Sequence, residues 1–177
     1  MTCIVAIVED GKVHIGGDSA GVAGLSITLR KDPKVFINGE FIMGFTSSFR
    51  MGQLLAHSLK VPTRDSGQDV YEYMVNRFVP AVRSCLKDGG VATKHHDAEE
   101  GGRFIVGYAG RLFMIDSDYQ VAEPVDNYLA VGCGDHIALG SLFSTEGKKP
   151  KKRIQIALEA SEKFSGGVRA PFLIKEL

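Results

Sequence analysis

The 177-residue sequence predicts an α+β domain in which two β-sheets pack face to face, each with a helix layer on its outer side. Three observations predict it. Short apolar runs near the start are joined by two-residue turns of hairpin type. Helical periodicity then appears in two separate pairs of segments, with further hairpin strands between them. The chain closes on one more strand, with no internal repeat or linker, so residues 1–177 read as a single domain.

The first thirty residues read as strands. Residues 3–8 form an apolar run, Asp10-Gly11 is a two-residue turn, and residues 13–17 answer it. Residues 35–37 and 41–45 flank Asn38-Gly39, a strong hairpin signal. A helix is predicted over residues 48–59, where Phe49, Leu54, Leu55 and Leu59 make an apolar stripe. A second is predicted over 67–86 from Val70, Tyr73, Met74, Arg77, Phe78, Ala81, Val82 and Leu86, with Pro80 placed to kink it. Residues 87–102 are polar, contain two Gly-Gly pairs and read as a mobile loop. Strands follow at 103–108 and 111–116 around Ala109-Gly110, then shorter ones at 119–122 and 128–131. Helices at 135–144 and 151–164 and a strand at 172–175 complete the chain.

Composition excludes several functions. Hydrophobic residues are 44% and charged residues 24%, with 21 acidic against 21 basic, which gives no electrostatic case for nucleic acid or an anionic membrane. No apolar run approaches the ~20 residues of a membrane span, and the N-terminus lacks the pattern of a secretory signal. Cys3, Cys85 and Cys133 are odd in number and far apart, suggesting neither a disulfide framework nor a zinc site. A reducing, cytoplasmic setting is expected. His95 and His96 stand beside Asp97, Glu99 and Glu100, but the spacing matches no ligand geometry and reads as a solvated loop. Neither cofactor nor metal is expected. The basic run Lys148, Lys149, Lys151, Lys152 and Arg153 reads as a solvated helix start, with a partner-facing patch as the alternative.

Thr2 is the candidate nucleophile. Removal of Met1 would expose an α-amine beside the Thr hydroxyl, and that amine is a built-in base with an ordinary pKa of ~7.7–8.0. Gly16-Gly17-Asp18-Ser19 ends the second strand, and Lys34 precedes the third. Lys34 would favour the neutral amine and stabilise a developing alkoxide, and Asp18 would hold Lys34. Cys3 is a rival on intrinsic reactivity, but it lies within a strand and has no terminal amine.

The segment from Thr2 through Gly44 resembles the start of a proteasome β-subunit, and still more that of the bacterial HslV peptidase. The spacings from Thr2 to Asp18 and to Lys34 agree with that family. The resemblance continues at Gly44-Phe45-Thr46-Ser47 and at Ala130-Val131-Gly132-Cys133-Gly134-Asp135. It implies the four-layer αββα sandwich of N-terminal nucleophile hydrolases and a threonine-type endopeptidase. Thr2 would attack the peptide carbonyl, with Asp18 and Lys34 setting the electrostatics and a backbone N–H near Ser47 or Ser48 stabilising the oxyanion. It further implies a polypeptide substrate, a homo-oligomeric ring or stacked rings, and an AAA+ unfoldase as ATPase partner. Three departures stand out. Cys133 occupies the place of a Ser that hydrogen-bonds near the terminal amine, and reads either as part of that shell or as a small packed residue. No Asp follows the last helix, where Glu162 and Ser165 are the candidate substitutes. The oxyanion turn reads Thr46-Ser47-Ser48, where the family is richer in glycine. Two other functions fit the same residues: a non-catalytic ring or scaffold subunit that keeps Met1, and an amidohydrolase of the same fold acting on a small amide.

Overall fold

The computed structural model describes residues 1–95 and 98–177. β1 (Cys3–Glu9) and β2 (Lys12–Gly17) form a hairpin closed by the pair Glu9–Lys12. Asp10 and Gly11 both take positive φ, 50° and 72°, the backbone sense that matches strand twist. β3 (Ala20–Ala23) and β4 (Ser26–Leu29) form a second, isolated hairpin. β5 (Val35–Asn38) and β6 (Phe41–Phe45) pair from Asn38–Phe41 onward, so the loop is Gly39-Glu40 and not Asn38-Gly39. The Asn38 side chain ties this hairpin to the first helix instead, its Nδ2 donating to the carbonyls of Leu55 and Leu59 at 2.9 and 3.1 Å.

α1 (Phe49–His57) is capped by Ser48, whose Oγ accepts the Met51 N–H at 3.3 Å. α2 (Val70–Tyr73) runs through a π-helical turn (Met74–Phe78) into α3 (Val79–Asp88). Pro80 sits in the first turn of α3, where its missing N–H follows the π turn and breaks no regular ladder. The predicted loop at 87–102 instead contains β7 (Thr93–His95) paired with β8 (Ala98–Glu100). That hairpin is polar and shows no apolar alternation, so periodicity gave no sign of it. His96 and Asp97 of the histidine-rich segment lie outside the described residues. Among the described residues no group of His, Cys, Asp and Glu is placed to hold a metal.

β9 (Phe104–Tyr108) and β10 (Arg111–Ile115) turn at Ala109-Gly110, as expected. β11 (Val121–Ala122) and β12 (Tyr128–Gly132) follow. α4 (Asp135–Ser144), α5 (Pro150–Phe164) and β13 (Leu173–Glu176) end the chain. No helix among the described residues is long and apolar enough to cross a membrane.

One sheet has strand order β12-β1-β2-β13 and the other β11-β10-β9-β6-β5. Alternation along the strands divides the core. Ile4, Ala6, Val13 and Ile15 meet Ile42, Ile105 and Leu112 between the two sheets. The odd members of β1, Cys3, Val5 and Ile7, face Ala138, Leu142, Ile154, Ala157 and Leu158 of α4 and α5. Phe41, Met43, Phe45, Phe104, Val106 and Phe113 face Leu54, Leu55, Met74, Phe78, Val82 and Leu86 of the other helices. Each such fully buried large side chain contributes about 1.5–3 kcal/mol. Glycine lets the layers close: a Cβ at Gly44 would strike Ile4 and Ile15 across the sheets, and one at Gly16 would strike Ile154 of α5. The basic run divides as well. Its lysines are exposed, but Arg153 is buried against the end of α4, where its Nη2 donates to the Leu142 carbonyl at 2.8 Å. The expectation of a wholly solvated helix start is therefore wrong at Arg153.

Candidate active site

Strand ends build the site. Thr2 immediately precedes β1, Asp18 immediately follows β2, and Lys34 immediately precedes β5. β1 and β2 are antiparallel neighbours, so the start of one lies beside the end of the other. β5 brings Lys34 to the same edge from the facing sheet. The three side chains are sealed from solvent: Thr2 is 4% exposed, Asp18 2% and Lys34 3%.

Their contacts form one chain. Lys34 Nζ donates to Thr2 Oγ1 at 2.9 Å and to Asp18 Oδ1 at 2.8 Å. Asp18 Oδ1 also accepts the Cys3 N–H at 3.0 Å, and Oδ2 accepts the Ala20 N–H at 2.9 Å and the Arg169 N–H at 3.4 Å. The carboxylate is thus fixed by backbone on three sides and aims the ammonium at the threonine oxygen. Burial pushes the Lys34 pKa below the ordinary lysine range, and the Asp18 carboxylate opposes that shift. Burial pushes the Cys3 thiol up to about 12, which leaves the rival nucleophile protonated and inert. Its Sγ donates to Ser161 Oγ at 3.5 Å.

Met1 is part of this arrangement. Thr2 Oγ1 donates to the Met1 carbonyl at 2.6 Å, so the hydroxyl proton is committed to the preceding residue. The Thr2 N–H donates to Cys133 Sγ at 3.3 Å, and Cys133 in turn accepts from Ser165 Oγ at 3.3 Å. Cys133 therefore touches the backbone nitrogen that would become the terminal amine, and Ser165 reaches it through the sulfur. Glu162, the other candidate substitute, accepts the Ala170 N–H at 2.9 Å and braces the segment after α5.

The Thr46-Ser47-Ser48 turn lies beside Thr2. Together with Met1, Val22, Phe45 and Phe49 these residues enclose a pocket of about 70 Å³. Ser47 takes φ 69°, and the Ser48 N–H donates to the Thr46 carbonyl at 2.8 Å. The turn is tight without glycine because Ser47 Oγ accepts the Arg103 N–H at 3.2 Å and anchors it. Two contributors are given no role by the sequence reading. The Arg169 N–H reaches Asp18 from 151 residues away. Gly132, at φ 107°, has no Cβ that would collide with the Thr2 carbonyl oxygen. A glycine ending a strand before a helix was a visible signal for the second; nothing local marked the first.

No protein-family profile matches the sequence, and no curated protein matches it in sequence. Solved structures match it in three dimensions. BPH from Thiobacillus denitrificans, in complex with epoxomicin, is similar with a TM-score of 0.79 at 16% identity, over 99% of this chain and 98% of that one. Eukaryotic HslV from Trypanosoma brucei gives 0.68 at 17%, over 99% of both chains. Anbu, an ancestral β-subunit, from Yersinia bercovieri gives 0.67 at 14%, over 99% of this chain and 81% of that one. With its α+β elements and paired sheets, the chain shares the fold of these three structures over nearly its whole length.

Proposed function

We propose that the chain is a threonine-type endopeptidase, active once Met1 is removed, on the four-layer αββα sandwich of its fold. The observation that carries the reading is the sealed chain Asp18–Lys34–Thr2, with Lys34 Nζ 2.9 Å from the threonine oxygen. Loss of Met1 frees Thr2 Oγ1 from the carbonyl that now takes its proton and leaves an amine on the same residue. That amine accepts the hydroxyl proton as Oγ1 bonds to the substrate carbonyl carbon. The Lys34 ammonium steadies charge developing on Oγ1. The substrate oxyanion displaces the Thr46 carbonyl as acceptor of the Ser48 N–H. The amine then returns its proton to the departing peptide amine, leaving an ester on Thr2, and water activated by the same amine hydrolyses it. Cys133 and Ser165 hold the amine in place.

The resemblance to proteasome-type subunits supports the further proposal of polypeptide substrates, a homo-oligomeric ring or stacked rings enclosing the sites, and an AAA+ unfoldase feeding them. The test is hydrolysis of fluorogenic peptides by chain lacking Met1. Activity that disappears in Thr2→Ala, and inhibition by epoxomicin only where Thr2 is present, are the expected results. Peptide hydrolysis that survives Thr2→Ala would sink the proposal.

A second reading has its own observation. The Met1 side chain lies against Gly167 and its carbonyl accepts the Thr2 hydroxyl, a settled arrangement for a non-catalytic ring subunit that keeps its methionine. Full retention of Met1 in the mature chain, with no turnover, would favour it.

A further inference from the structure

We propose that a cavity between the end of α4 and the start of β12 binds a small zwitterion of the α-amino-acid class with an apolar side chain. The cavity, about 330 Å³, is lined by Asp126, Asn127, Tyr128, Phe143, Glu146 and Arg153. It is separate from the Thr2 site. Tyr128 pairs with Ile7 and Gly132 with Cys3, so the cavity stands at the opposite end of β12, roughly 13 Å along the strand.

Arg153 is the reason to expect a ligand. It is 8% exposed, and a guanidinium stays charged in any protein. Its Nη2 donates to the Leu142 carbonyl and its Cζ lies 5.5 Å from the Tyr128 ring centre. Its Nε is buried with no partner, and no carboxylate among the described residues is within ion-pair reach. By contrast Arg30, Arg103 and Arg111 are each forked by a carboxylate; Arg64 shares the unpartnered Nε, but it does not line this cavity. Closing the end of α4 uses one of five donors. A buried charge with spare donors on a cavity wall fits an incoming carboxylate, whose two oxygens match the guanidinium fork.

The rest of the lining selects among carboxylates. Asp126 and Glu146 have no ion-pair partner among the described residues. Two carboxylates against one guanidinium give the lining a formal charge of −1, which repels a simple dianion. A ligand that also carries an ammonium meets both demands. Tyr128 and the exposed Phe143 supply apolar walls for a side chain. The volume lies at the small end of ligand pockets, ~300–1,000 Å³, and suits one amino acid.

The experiment is an NMR titration of Thr2→Ala chain, in which no turnover complicates the readout. The probes are L-phenylalanine, N-acetyl-L-phenylalanine, L-phenylalaninamide and inorganic phosphate. L-phenylalanine is expected to give saturable shifts at Tyr128, Phe143 and Arg153. The acetylated and amide forms, each lacking one charge, are expected to bind at least ~10-fold more weakly. Arg153→Met should abolish binding. Because that variant also loses the tie to Leu142, Glu146→Gln is the second arm: it should weaken L-phenylalanine, whose ammonium it deprives of a partner, and should not weaken N-acetyl-L-phenylalanine, which it relieves of repulsion. No saturable shift with L-phenylalanine, the same shifts with phosphate, or equal binding of the amide would overturn the proposal.

Discussion

Lys34→Ala perturbs the site at its centre. Nζ bonds the Thr2 oxygen at 2.9 Å and Asp18 at 2.8 Å, in a pair whose side chains are almost fully shielded from water. Its loss removes one charge-assisted hydrogen bond from the nucleophile, worth ~1.5–3 kcal/mol. A loss of about 2.7 kcal/mol in transition-state stabilisation lowers turnover ~100-fold. The same change strands Asp18 as a buried charge, which costs about 3–5 kcal/mol of stability in comparable pairs. The Cys3 and Ala20 N–H groups, still bonded to the carboxylate, reduce that cost. A double variant separates the two effects. Asp18→Asn with Lys34→Met removes both charges, so its urea midpoint should lie closer to the parent than that of Lys34→Ala, with turnover still ~100-fold down. The assays are urea unfolding and kcat/KM on a fluorogenic peptide, with absence of Met1 verified by intact mass. Turnover of Lys34→Ala within a few-fold of the parent would refute the role given to Lys34.

Cys133→Ser replaces a weak thiol acceptor with a hydroxyl beside the Thr2 nitrogen, so kcat/KM should hold or rise, whereas Cys133→Val should lower it ~10-fold or more. Gly132→Ala must force a side chain onto the Thr2 carbonyl at φ 107°, so chemical denaturation should show a loss of roughly 1–3 kcal/mol with activity abolished. Iodoacetamide on the native chain should modify exposed Cys133 first and spare Cys3, read by peptide mass mapping. The Cys3 thiol also links stability to pH. Its folded pKa of about 12 lies above the unfolded value, so its contribution is complete below ~8.5 and is lost as pH rises towards 12. The alkaline fall in unfolding free energy should therefore be shallower in Cys3→Ala.

Much of the frame was legible because it rests on local chemistry. Asp10-Gly11 and Ala109-Gly110 are turns that neighbouring residues alone determine, and both form where the sequence places them. Thr2, Asp18 and Lys34 come together because each lies at a strand end, and hairpin pairing carries those ends to one edge. The misreadings come from distant partners. Asn38 leaves its turn to bond carbonyls of α1 and the residues just after it, which moves the loop by one residue. Arg153 leaves solvent for the end of α4. β7 and β8 carry no apolar alternation, and pairing alone reveals them.

The central claim is that removal of Met1 turns Thr2 from a hydrogen-bond donor to its neighbour into a nucleophile. Intact mass of the purified chain, read together with peptide turnover on the same sample, tests it most directly. The account predicts a mass lacking one methionine, turnover in proportion to the processed fraction, and none in Thr2→Ala. Full turnover from chain that retains Met1 would contradict it.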